Sequence, residues 1–487
     1  MRKNFFVLIC LSLLTLSCED KLSESEQFTQ YVNEWVYDNM SLLYYWNTTL
    51  PPYKSSIADP NTYFKSLKNK EDRFSSIFES YTTISNELNG ISASEAGFEF
   101  QLYKESAANE NVMGIVLYVK KGTPAASLGV KRGDIFRKLN DKQITMTNYR
   151  EIINYLYDSS LSVNITFSML QNNIFTDKVP LTISKLTNFK ENPIFLDTIY
   201  TIQNKKIGYL VYHFFTNDAG DKTMQYDLAL NNAFGRFKSN NISELIIDLR
   251  YNHGGAMSSA INLSSMMVPN LTTDKVFSYT EFNKNYTDYF NSDDFKKQSS
   301  ENPFIDNFAT TIDLPAPKTD KFPVQNVGNS LQKIYFLTGS GTASASEMVI
   351  NGLKPFLPCV LIGDTTVGKN VGSTLVNDTK NTKNEWAILP IILRYFNKDH
   401  KSDFTSGFAP DFLLQDDYSY QLGDTREALL AKAISQITGI QSTPTQKAHA
   451  LRENLNSAIN MNLHRNDLIV NKKAINLYLS NKKNSVK

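Results

Sequence analysis

The 487-residue sequence contains few cysteines and few histidines, and its positive and negative charges balance. Three cysteines, Cys10, Cys18 and Cys359, do not form the spaced set that a disulfide framework requires. Five histidines show no zinc-type spacing with cysteines or carboxylates, so no metal or other cofactor is expected. Fifty Lys and Arg residues against 49 Asp and Glu residues give a net charge of +1, which argues against nucleic acid as a partner.

Long hydrophobic runs are also missing, and the N-terminal apolar run Phe5–Leu16 is too short to span a membrane. Because Arg2 and Lys3 precede it, residues 1–17 are predicted to be a secretion signal. The sequence Leu-Thr-Leu-Ser-Cys ending at Cys18 resembles a bacterial lipoprotein cleavage box. We therefore expect an exported lipoprotein of the bacterial cell envelope, anchored through Cys18 in the outer membrane and facing the periplasm or the cell surface. The alternative is an ordinary cleaved signal followed by an unrelated cysteine.

The rest of the chain divides by composition. Residues 18–30 are polar and charged, as in a tether, and residues 31–90 carry apolar residues at steps of three and four, which predicts a small helical domain. Residues 91–186 contain several short strand patterns separated by glycine turns. Residues 187–420 alternate strand and helix patterns, which predicts an α/β core built from βαβ crossover units. Residues 421–487 are predicted to form a helical tail.

The stretch from Ile334 to Lys369 carries the most specific pattern. A strand pattern, Ile334–Leu337, is followed by a turn of small residues, a helix pattern, Glu347–Leu353, and a second strand pattern, Cys359–Ile362. Two strands joined through a helix form a parallel crossover unit, which is normally right-handed.

Ser344 lies where this turn enters the helix. The first amide N–H groups of a helix have no intrahelical acceptor, and together with the helix dipole they stabilise negative charge. A serine nucleophile at this position would therefore generate its oxyanion beside suitable donors. The alternative is that Ser344 or Ser346 only caps the helix.

Lys369 ends the run from Gly363 to Gly368-Lys369, which matches most of a phosphate-binding loop. However, Asn370 stands where a magnesium-binding Ser or Thr is required, and no long helix pattern follows. A lysine inside the fold is the other interpretation, because loss of hydration favours the neutral amine that acts as a base. The third possibility is a solvated surface lysine.

Together, Thr342-Ala-Ser344-Ala-Ser-Glu347 and Gly368-Lys369 resemble the C-terminal processing peptidases, which are PDZ-containing serine–lysine proteases. This resemblance implies that Ser344 is the nucleophile and Lys369 is the base. The family usually has a glutamine four residues after the lysine to orient it, whereas this chain has Ser373.

A second motif, Asp248-Leu-Arg250-Tyr-Asn252-His253-Gly254-Gly255, resembles the glycine segment of the same family. Paired glycines at a strand–helix junction let backbone amides face an anion, so we expect an oxyanion donor in this turn, with Gly254 preferred, and Ala345 as the second donor. The alternative is a turn whose glycines serve geometry alone. Arg250 is expected to organise the loops by ion pairing. His253 would be the base of a serine–histidine pair, but it occupies a variable position of the motif and ranks below Lys369.

Residues 91–186 resemble a PDZ domain through the segments Gly114–Val119, Gly122–Gly129 and Arg132–Ile135. PDZ domains bind a peptide C-terminus by strand addition, and here the matching loop is Gly97-Phe98-Glu99-Phe100. Glu99 replaces a usual glycine, so its carboxylate would repel that of the ligand. The alternative is a PDZ domain with only a structural role.

These observations predict a serine-type endopeptidase that cleaves unfolded or tail-exposed polypeptides through an acyl-enzyme. The alternative is an inactive surface lipoprotein that binds peptide or another polymer in the same groove. The sequence leaves the oligomeric state open.

Overall fold

The computed structural model describes residues 22–106, 109–171, 174–440, 458–459, 475, 477–478 and 481. The predicted signal peptide, Cys18 and most of the predicted helical tail lie outside the described residues. Within them, the helices are α1 (Glu24–Leu43), α2 (Pro60–Leu67), α3 (Tyr81–Leu88), α4 (Pro124–Ser127), α5 (Tyr149–Ile153), α6 (Gln225–Ser239), α7 (Met257–Ser265), α8 (Lys284–Asn291), α9 (Asp293–Gln298), α10 (Ala345–Leu353) and α11 (Ala428–Thr438). No helix in this part of the chain has both the length and the apolar character that crossing a bilayer requires.

The strands begin after helix α2. They are β1 (Ser76–Phe78), β2 (Ile91–Glu95), β3 (Phe98–Lys104), β4 (Val112–Val119), β5 (Ile135–Leu139), β6 (Lys142–Gln143), β7 (Ser162–Gln171), β8 (Ile174–Asp177), β9 (Leu181–Ser184), β10 (Leu186–Lys190), β11 (Ile194–Ile202), β12 (Lys205–Tyr212), β13 (Glu244–Asp248), β14 (Val276–Phe282), β15 (Ile305–Asn307), β16 (Thr311–Asp313), β17 (Lys321–Pro323), β18 (Ile334–Thr338), β19 (Cys359–Gly363), β20 (Val371–Ser373), β21 (Val376–Asn377), β22 (Ala387–Leu389), β23 (Ile391–Asn397), β24 (Phe412–Leu413) and β25 (Ala458–Ile459).

A six-stranded sheet in the order β11-β12-β13-β18-β19-β24 forms the centre of the core. All neighbours pair in parallel except the antiparallel edge strand β11. The predicted α/β core and the parallel pairing around helix α10 are confirmed. Because Asp248 of β13 pairs with Leu337 of β18, the loops that follow these two strands leave the sheet at the same edge. The Gly254 and Ser344 motifs are therefore brought together by the sheet.

Helices cover both faces of this sheet, as expected for parallel strands that are apolar on both sides. On one face, Leu245 and Ile247 of β13 pack in one cluster with residues of α6, α7 and α10. On the other face, Ile246 packs with Leu429 and Leu430 of α11. The successive residues of β13 thus point alternately into the two layers.

The N-terminal helices are joined to this core. Helix α1 begins at Glu24 after a capping box between Ser23 and Glu26, so the predicted tether up to residue 30 is too long. Val36 and Phe64 belong to the same hydrophobic cluster as the core helices. The helices of residues 31–90, predicted as a small helical domain, therefore share the hydrophobic interior of the core.

A second sheet, β15-β14-β23-β20, lies beside the site. The apolar run Trp386–Phe396 does not form one continuous strand. Pro390 has no N–H to donate, and the segment divides there into β22, which pairs with β1 and β21, and β23, which pairs with β14 and β20.

Residues 91–190 form a middle β-domain. Strands β25-β3-β4-β5-β7-β8 make its main sheet, with β6 and β9 paired alongside, while β2 and β10 pair separately. Its apolar side chains, among them Phe100, Phe136 and Ile152, form a cluster separate from that of the core.

Candidate active site

Ser344 stands between strand β18 and helix α10, directly before the helix begins. Its backbone has φ 59° and ψ −114°, a conformation that costs an L-residue about 1–3 kcal/mol. Its Oγ is buried and has no hydrogen-bond partner among the described residues. Ser346, the other candidate cap, donates its hydroxyl to Asn252 O at 3.1 Å. A strained backbone and an unpartnered hydroxyl distinguish Ser344 from a serine that serves only as a cap.

The carboxylate of Glu347 connects this turn to the loop that carries Lys369. Its Oε2 accepts from the N–H of Ser344 at 2.9 Å and from the N–H of Lys369 at 2.8 Å. Its Oε1 accepts from the N–H of Gly368 and from Thr366 Oγ1, both at 2.6 Å. Burial raises the pKa of this carboxyl, and the four donated hydrogen bonds oppose that shift. Glu347 thus fixes the two candidate catalytic residues relative to each other.

Lys369 is buried, which excludes the solvated surface lysine. Its Nζ lies 5.3 Å from the centroid of the Phe74 ring, within the range of a cation–π contact. The neighbouring Arg73 donates to Val367 O at 3.1 Å and to Thr405 O at 2.9 Å, so a segment from the N-terminal part of the chain supports the lysine loop. Strand β20, and no helix, follows this loop. The phosphate-binding interpretation also fails because Glu347 accepts the amides of Gly368 and Lys369.

Tyr395 of strand β23 makes a second link between the two loops. Its hydroxyl donates to Lys369 O at 2.9 Å and lies 3.2 Å from Ser344 O. Burial raises its pKa well above the ordinary value, so it remains a neutral donor. The sequence analysis missed this residue because an apolar strand pattern gives no sign of a polar contact.

The glycine turn lies directly against the nucleophile. A β-carbon built on Gly254 would lie 2.7 Å from Ser344 Cβ, and the φ of Gly254 is 106°, which favours glycine. The N–H of Gly254 donates to Asn252 Oδ1 at 2.8 Å, so it would have to release this acceptor to bind an oxyanion. The N–H groups of Gly255 and Ala345 have no acceptor among the described residues. Ala345 provides the first amide of α10, as the sequence predicts.

Arg250 supports this turn through buried ion pairs. Their partners could not be identified from the sequence. Arg250 donates to both carboxylate oxygens of Asp248, at 2.9 and 2.8 Å, and to both oxygens of Glu427, at 2.6 and 2.9 Å. Asp416 lies 3.2 Å from the same guanidinium and also pairs with Arg132 of the middle β-domain. The two arginines offset most of the charge of these three carboxylates and fix the path of the chain into the glycine turn.

Helix α7, which follows the glycine turn, is attached to α6 by a buried carboxylate. Asp227 of α6 accepts from Ser259 Oγ at 2.6 Å and from Asn262 Nδ2 at 2.8 Å, and also from Asn217 Nδ2 at 2.5 Å. Burial raises the pKa of Asp227 to about 6.

Two further predicted site residues have less defined surroundings. His253 Nδ1 lies 2.7 Å from Gly341 O. Because Ser344 Oγ has no hydrogen-bond partner among the described residues, neither His253 nor Lys369 is hydrogen-bonded to the serine hydroxyl. Ser373 ends strand β20, and its buried Oγ also has no hydrogen-bond partner among the described residues.

The predicted peptide-binding loop opens strand β3 in the middle β-domain. Phe98 and Phe100 are buried in the cluster of this domain, while Glu99 pairs with Lys120 at 2.7 Å. Gly97 adopts φ 102°, and its N–H donates to Glu95 Oε1 at 2.7 Å. The structure thus separates these four residues from the Ser344 site by placing them in another domain.

Comparisons with known proteins match both the site and the N-terminal segment. The model of peptidase family S41 matches residues 206–414, and the model of the peptidase S41 N-terminal domain matches residues 31–76. A Staphylococcus aureus (strain N315) protein named "Probable CtpA-like serine protease" is 22% identical over 327 residues, which is 66% of this chain and 53% of that protein. The chain therefore spans about half the length of the curated relatives that it matches.

The fold is shared with a solved structure. The crystal structure of a Bacteroides fragilis NCTC 9343 protein assigned to the S41 proteases has a TM-score of 0.64 and 22% identity, and the match covers 84% of this chain and 97% of that chain. This likeness concerns the fold. The two family models include the Ser344, Lys369 and Gly254 motifs and the segment around Phe74. They confirm the resemblance inferred from the sequence: the chain belongs to peptidase family S41.

Proposed function

We propose that this protein is a serine-type endopeptidase in which Ser344 is the nucleophile and Lys369 is the general base. The observation that carries the proposal is the shared carboxylate of Glu347, which binds the N–H groups of both residues and so sets their relative position. Burying a carboxylate is costly unless hydrogen bonds satisfy it. Here all four donors belong to the two loops that carry Ser344 and Lys369, so the carboxylate holds these loops together.

The reaction begins with attack of Ser344 Oγ on the carbonyl carbon of a peptide bond, while Lys369 Nζ takes the hydroxyl proton. The tetrahedral intermediate collapses to an acyl-enzyme as the lysine returns the proton to the leaving amine. Water then attacks the ester, again with Lys369 as the base, and releases the second product. The strained backbone of Ser344 and its buried hydroxyl, which has no partner among the described residues, support this role.

The oxyanion is proposed to bind two backbone N–H groups. Ala345 contributes the first amide of helix α10, with the helix dipole behind it. The second donor comes from the Gly254–Gly255 turn, either from Gly254 after it releases Asn252 or from Gly255, whose N–H has no acceptor among the described residues. Arg250 positions this turn. Ser373 is proposed as a weak substitute for an orienting glutamine, since its hydroxyl can accept from an ammonium group.

The substrate is proposed to be unfolded or tail-exposed polypeptide, and residues 91–186 are proposed to be a PDZ-like domain that binds it through the edge of β3. The antiparallel sheet and the small helices α4 and α5 support this assignment. The protein is further proposed to be an exported lipoprotein of the cell envelope, anchored through Cys18.

The test is cleavage of an unfolded, fluorescein-labelled protein by purified residues 19–487. The Ser344→Ala and Lys369→Ala variants are expected to lose at least about 10³-fold in kcat/KM, because each removes a group on which the covalent step depends. His253→Ala should retain activity. Activity that survives Lys369→Ala but not His253→Ala would overturn the choice of base.

Ser346→Ala is the matched control, since it removes a hydroxyl two residues from the nucleophile and loses a single hydrogen bond to Asn252 O. Its expected loss is small, because a neutral hydrogen bond contributes about 1 kcal/mol. If the wild-type protein leaves several unfolded substrates intact, the proposal fails and the inactive peptide-binding lipoprotein takes its place.

A further inference from the structure

The outer edge of strand β3 in the middle β-domain is occupied by the chain itself. One side of β3 pairs with β4, and the other side pairs antiparallel with β25, so that Ala458 lies opposite Tyr103 and Ile459 opposite Leu102. This is strand addition, in which main-chain hydrogen bonds provide the recognition. The occupying residues are internal, since the chain continues to Lys487.

The loop before β3 already holds a carboxylate from its own domain. Recognition of a peptide C-terminus by strand addition requires loop N–H groups that bind the terminal carboxylate. Here the N–H of Gly97 donates to Glu95 Oε1 at 2.7 Å. The carboxylate of Glu95 therefore takes the donor that a ligand end would need.

The charges around this loop also disfavour binding of a C-terminal carboxylate. Lys120 Nζ lies 2.6 Å from Glu95, 2.7 Å from Glu99 and 3.2 Å from Glu191, so one buried ammonium serves three carboxylates. Burial lowers the pKa of the adjacent His213, which therefore adds no positive charge at neutral pH. A further carboxylate brought to this loop would meet net negative charge.

A peptide can be recognised by β3 only along the edge of the strand, because the side chains on its buried face pack inside the domain. The side chains of Phe98, Phe100 and Leu102 are buried in the cluster of the domain, where Ile152 and Ile153 of α5 also pack. A ligand of this edge is thus read mainly through its backbone, which suits an extended segment of varied sequence.

We infer that the β3 edge binds internal, extended stretches of polypeptide rather than free C-termini, and that residues 458–459 occupy it as an intramolecular competitor. This inference rests on the proposed function and narrows its substrate class. It differs from the expectation that capture depends on a C-terminal carboxylate.

The segment that follows β25 is attached to the catalytic core. Ile475 and Tyr478 are buried, the ring of Tyr478 lies 4.3 Å from that of Tyr286 in α8, and Asn481 Nδ2 donates to Tyr289 OH at 2.8 Å. Tethering keeps residues 458–459 near β3 at an effective concentration in the millimolar range. A two-residue pairing is weak, so substrate displaces it at a cost of roughly threefold to tenfold in apparent affinity.

The test uses residues 19–487 with Ser344→Ala, so that binding is measured without cleavage. The probe is a fluorescein-labelled peptide with the sequence of residues 454–463, made once with a C-terminal carboxylate and once with a C-terminal amide. Fluorescence anisotropy should give affinities that agree within about twofold for the two forms. Slower amide hydrogen exchange in residues 98–104 should locate the bound peptide on β3. A carboxylate form that binds tenfold more tightly, or an absence of protection on β3, would overturn the assignment.

Self-occupancy is tested in the same background by Ile459→Pro, which removes a main-chain N–H from the competing segment, with Ile459→Val as the matched control. The proline variant should bind the peptide roughly threefold to tenfold more tightly, and the valine variant should not change. Equal affinity of both variants for the peptide would refute the claim that residues 458–459 compete for the β3 edge. Because these are binding measurements on an inactivated protein, their outcome is independent of whether Ser344 and Lys369 catalyse cleavage.

Discussion

Replacing Glu347 by glutamine tests the connection on which the proposed site depends. One carboxylate oxygen binds the N–H groups of Ser344 and Lys369, and the other binds Gly368 N–H and the Thr366 hydroxyl. Glu347→Gln converts one of these oxygens into an NH₂ group, which cannot accept a hydrogen bond.

The loss of folding stability in Glu347→Gln depends on the orientation of the glutamine side-chain amide. If its NH₂ faces Ser344 and Lys369, two buried N–H groups lose their acceptor. If it faces Thr366 and Gly368, the threonine hydroxyl can rotate to accept, and only one N–H group is orphaned. Each orphaned donor costs about 1–3 kcal/mol, and the remaining bonds lose the strength that ionisation gives them. The neutral amide is also less costly to bury than a carboxylate, which partly offsets this loss. We therefore expect the free energy of unfolding to fall by about 2–4 kcal/mol.

The expected effect on activity is larger than this loss of stability alone implies. A shift of about 1 Å in the position of a catalytic group can cost about 10²-fold. Cleavage of an unfolded substrate should therefore fall by about 10²-fold in kcat/KM, and the Tm should fall by several degrees. The exposed Glu385→Gln is the matched control and should leave both unchanged. A Glu347→Gln variant with wild-type activity and Tm would refute the reasoning.

Three further substitutions test other parts of the account. Gly254→Ala places a methyl group 2.7 Å from Ser344 Cβ at a φ of 106°, so kcat/KM should fall at least about 10²-fold, and retained activity would show that the turn does not contact the nucleophile as described. Phe74→Leu removes the ring beside Lys369 Nζ, which would stabilise the ammonium that forms when the lysine takes the serine proton, so kcat should fall a few-fold to about 30-fold. Phe74→Tyr should restore it, and a tyrosine variant as impaired as the leucine variant would contradict a cation–π role. Burial raises the pKa of Asp227 from 3.8 to about 6, so its protonated form stabilises the fold at low pH. As the pH rises from about 4 through 6, the free energy of unfolding should fall by on the order of 3 kcal/mol. The Tm of the wild-type protein relative to Asp227→Asn should therefore decline over that range, and parallel Tm profiles would contradict this assignment.

The sequence predicted the parts of the molecule whose signals are local. The strands around α10 were found because buried parallel strands form continuous apolar runs, and the order of strand, turn and helix placed Ser344 at a helix N-terminus. The register between Asp248 and Leu337 then accounts for the proximity of the two motifs, which the strand pattern alone could only suggest.

The contacts that assemble the site come from residues far apart in the chain, and no local pattern reveals them. Tyr395 lies in an apolar strand, and the partner of Arg250, Glu427, opens the last core helix. The importance of Glu347 exceeds its visible role as a capping residue, because three of its four donors belong to another loop. Propensity also failed at Pro390, where a single apolar pattern conceals a change of sheet.

The N-terminal helices show why a domain boundary is difficult to predict from periodicity. Their apolar stripes indicate burial but do not specify the surface against which they pack. Val36 and Phe64 pack into the core, and this arrangement brings Phe74 to Lys369.

The most direct test of the central claim is to locate the covalent adduct that a serine-directed fluorophosphonate forms with residues 19–487, by digestion and mass spectrometry. The account predicts a single modified site at Ser344, with labelling slowed at least about 10²-fold in Lys369→Ala because the hydroxyl then lacks its base. Labelling of another serine, or labelling of Ser344 at the same rate without Lys369, would contradict the serine–lysine pair.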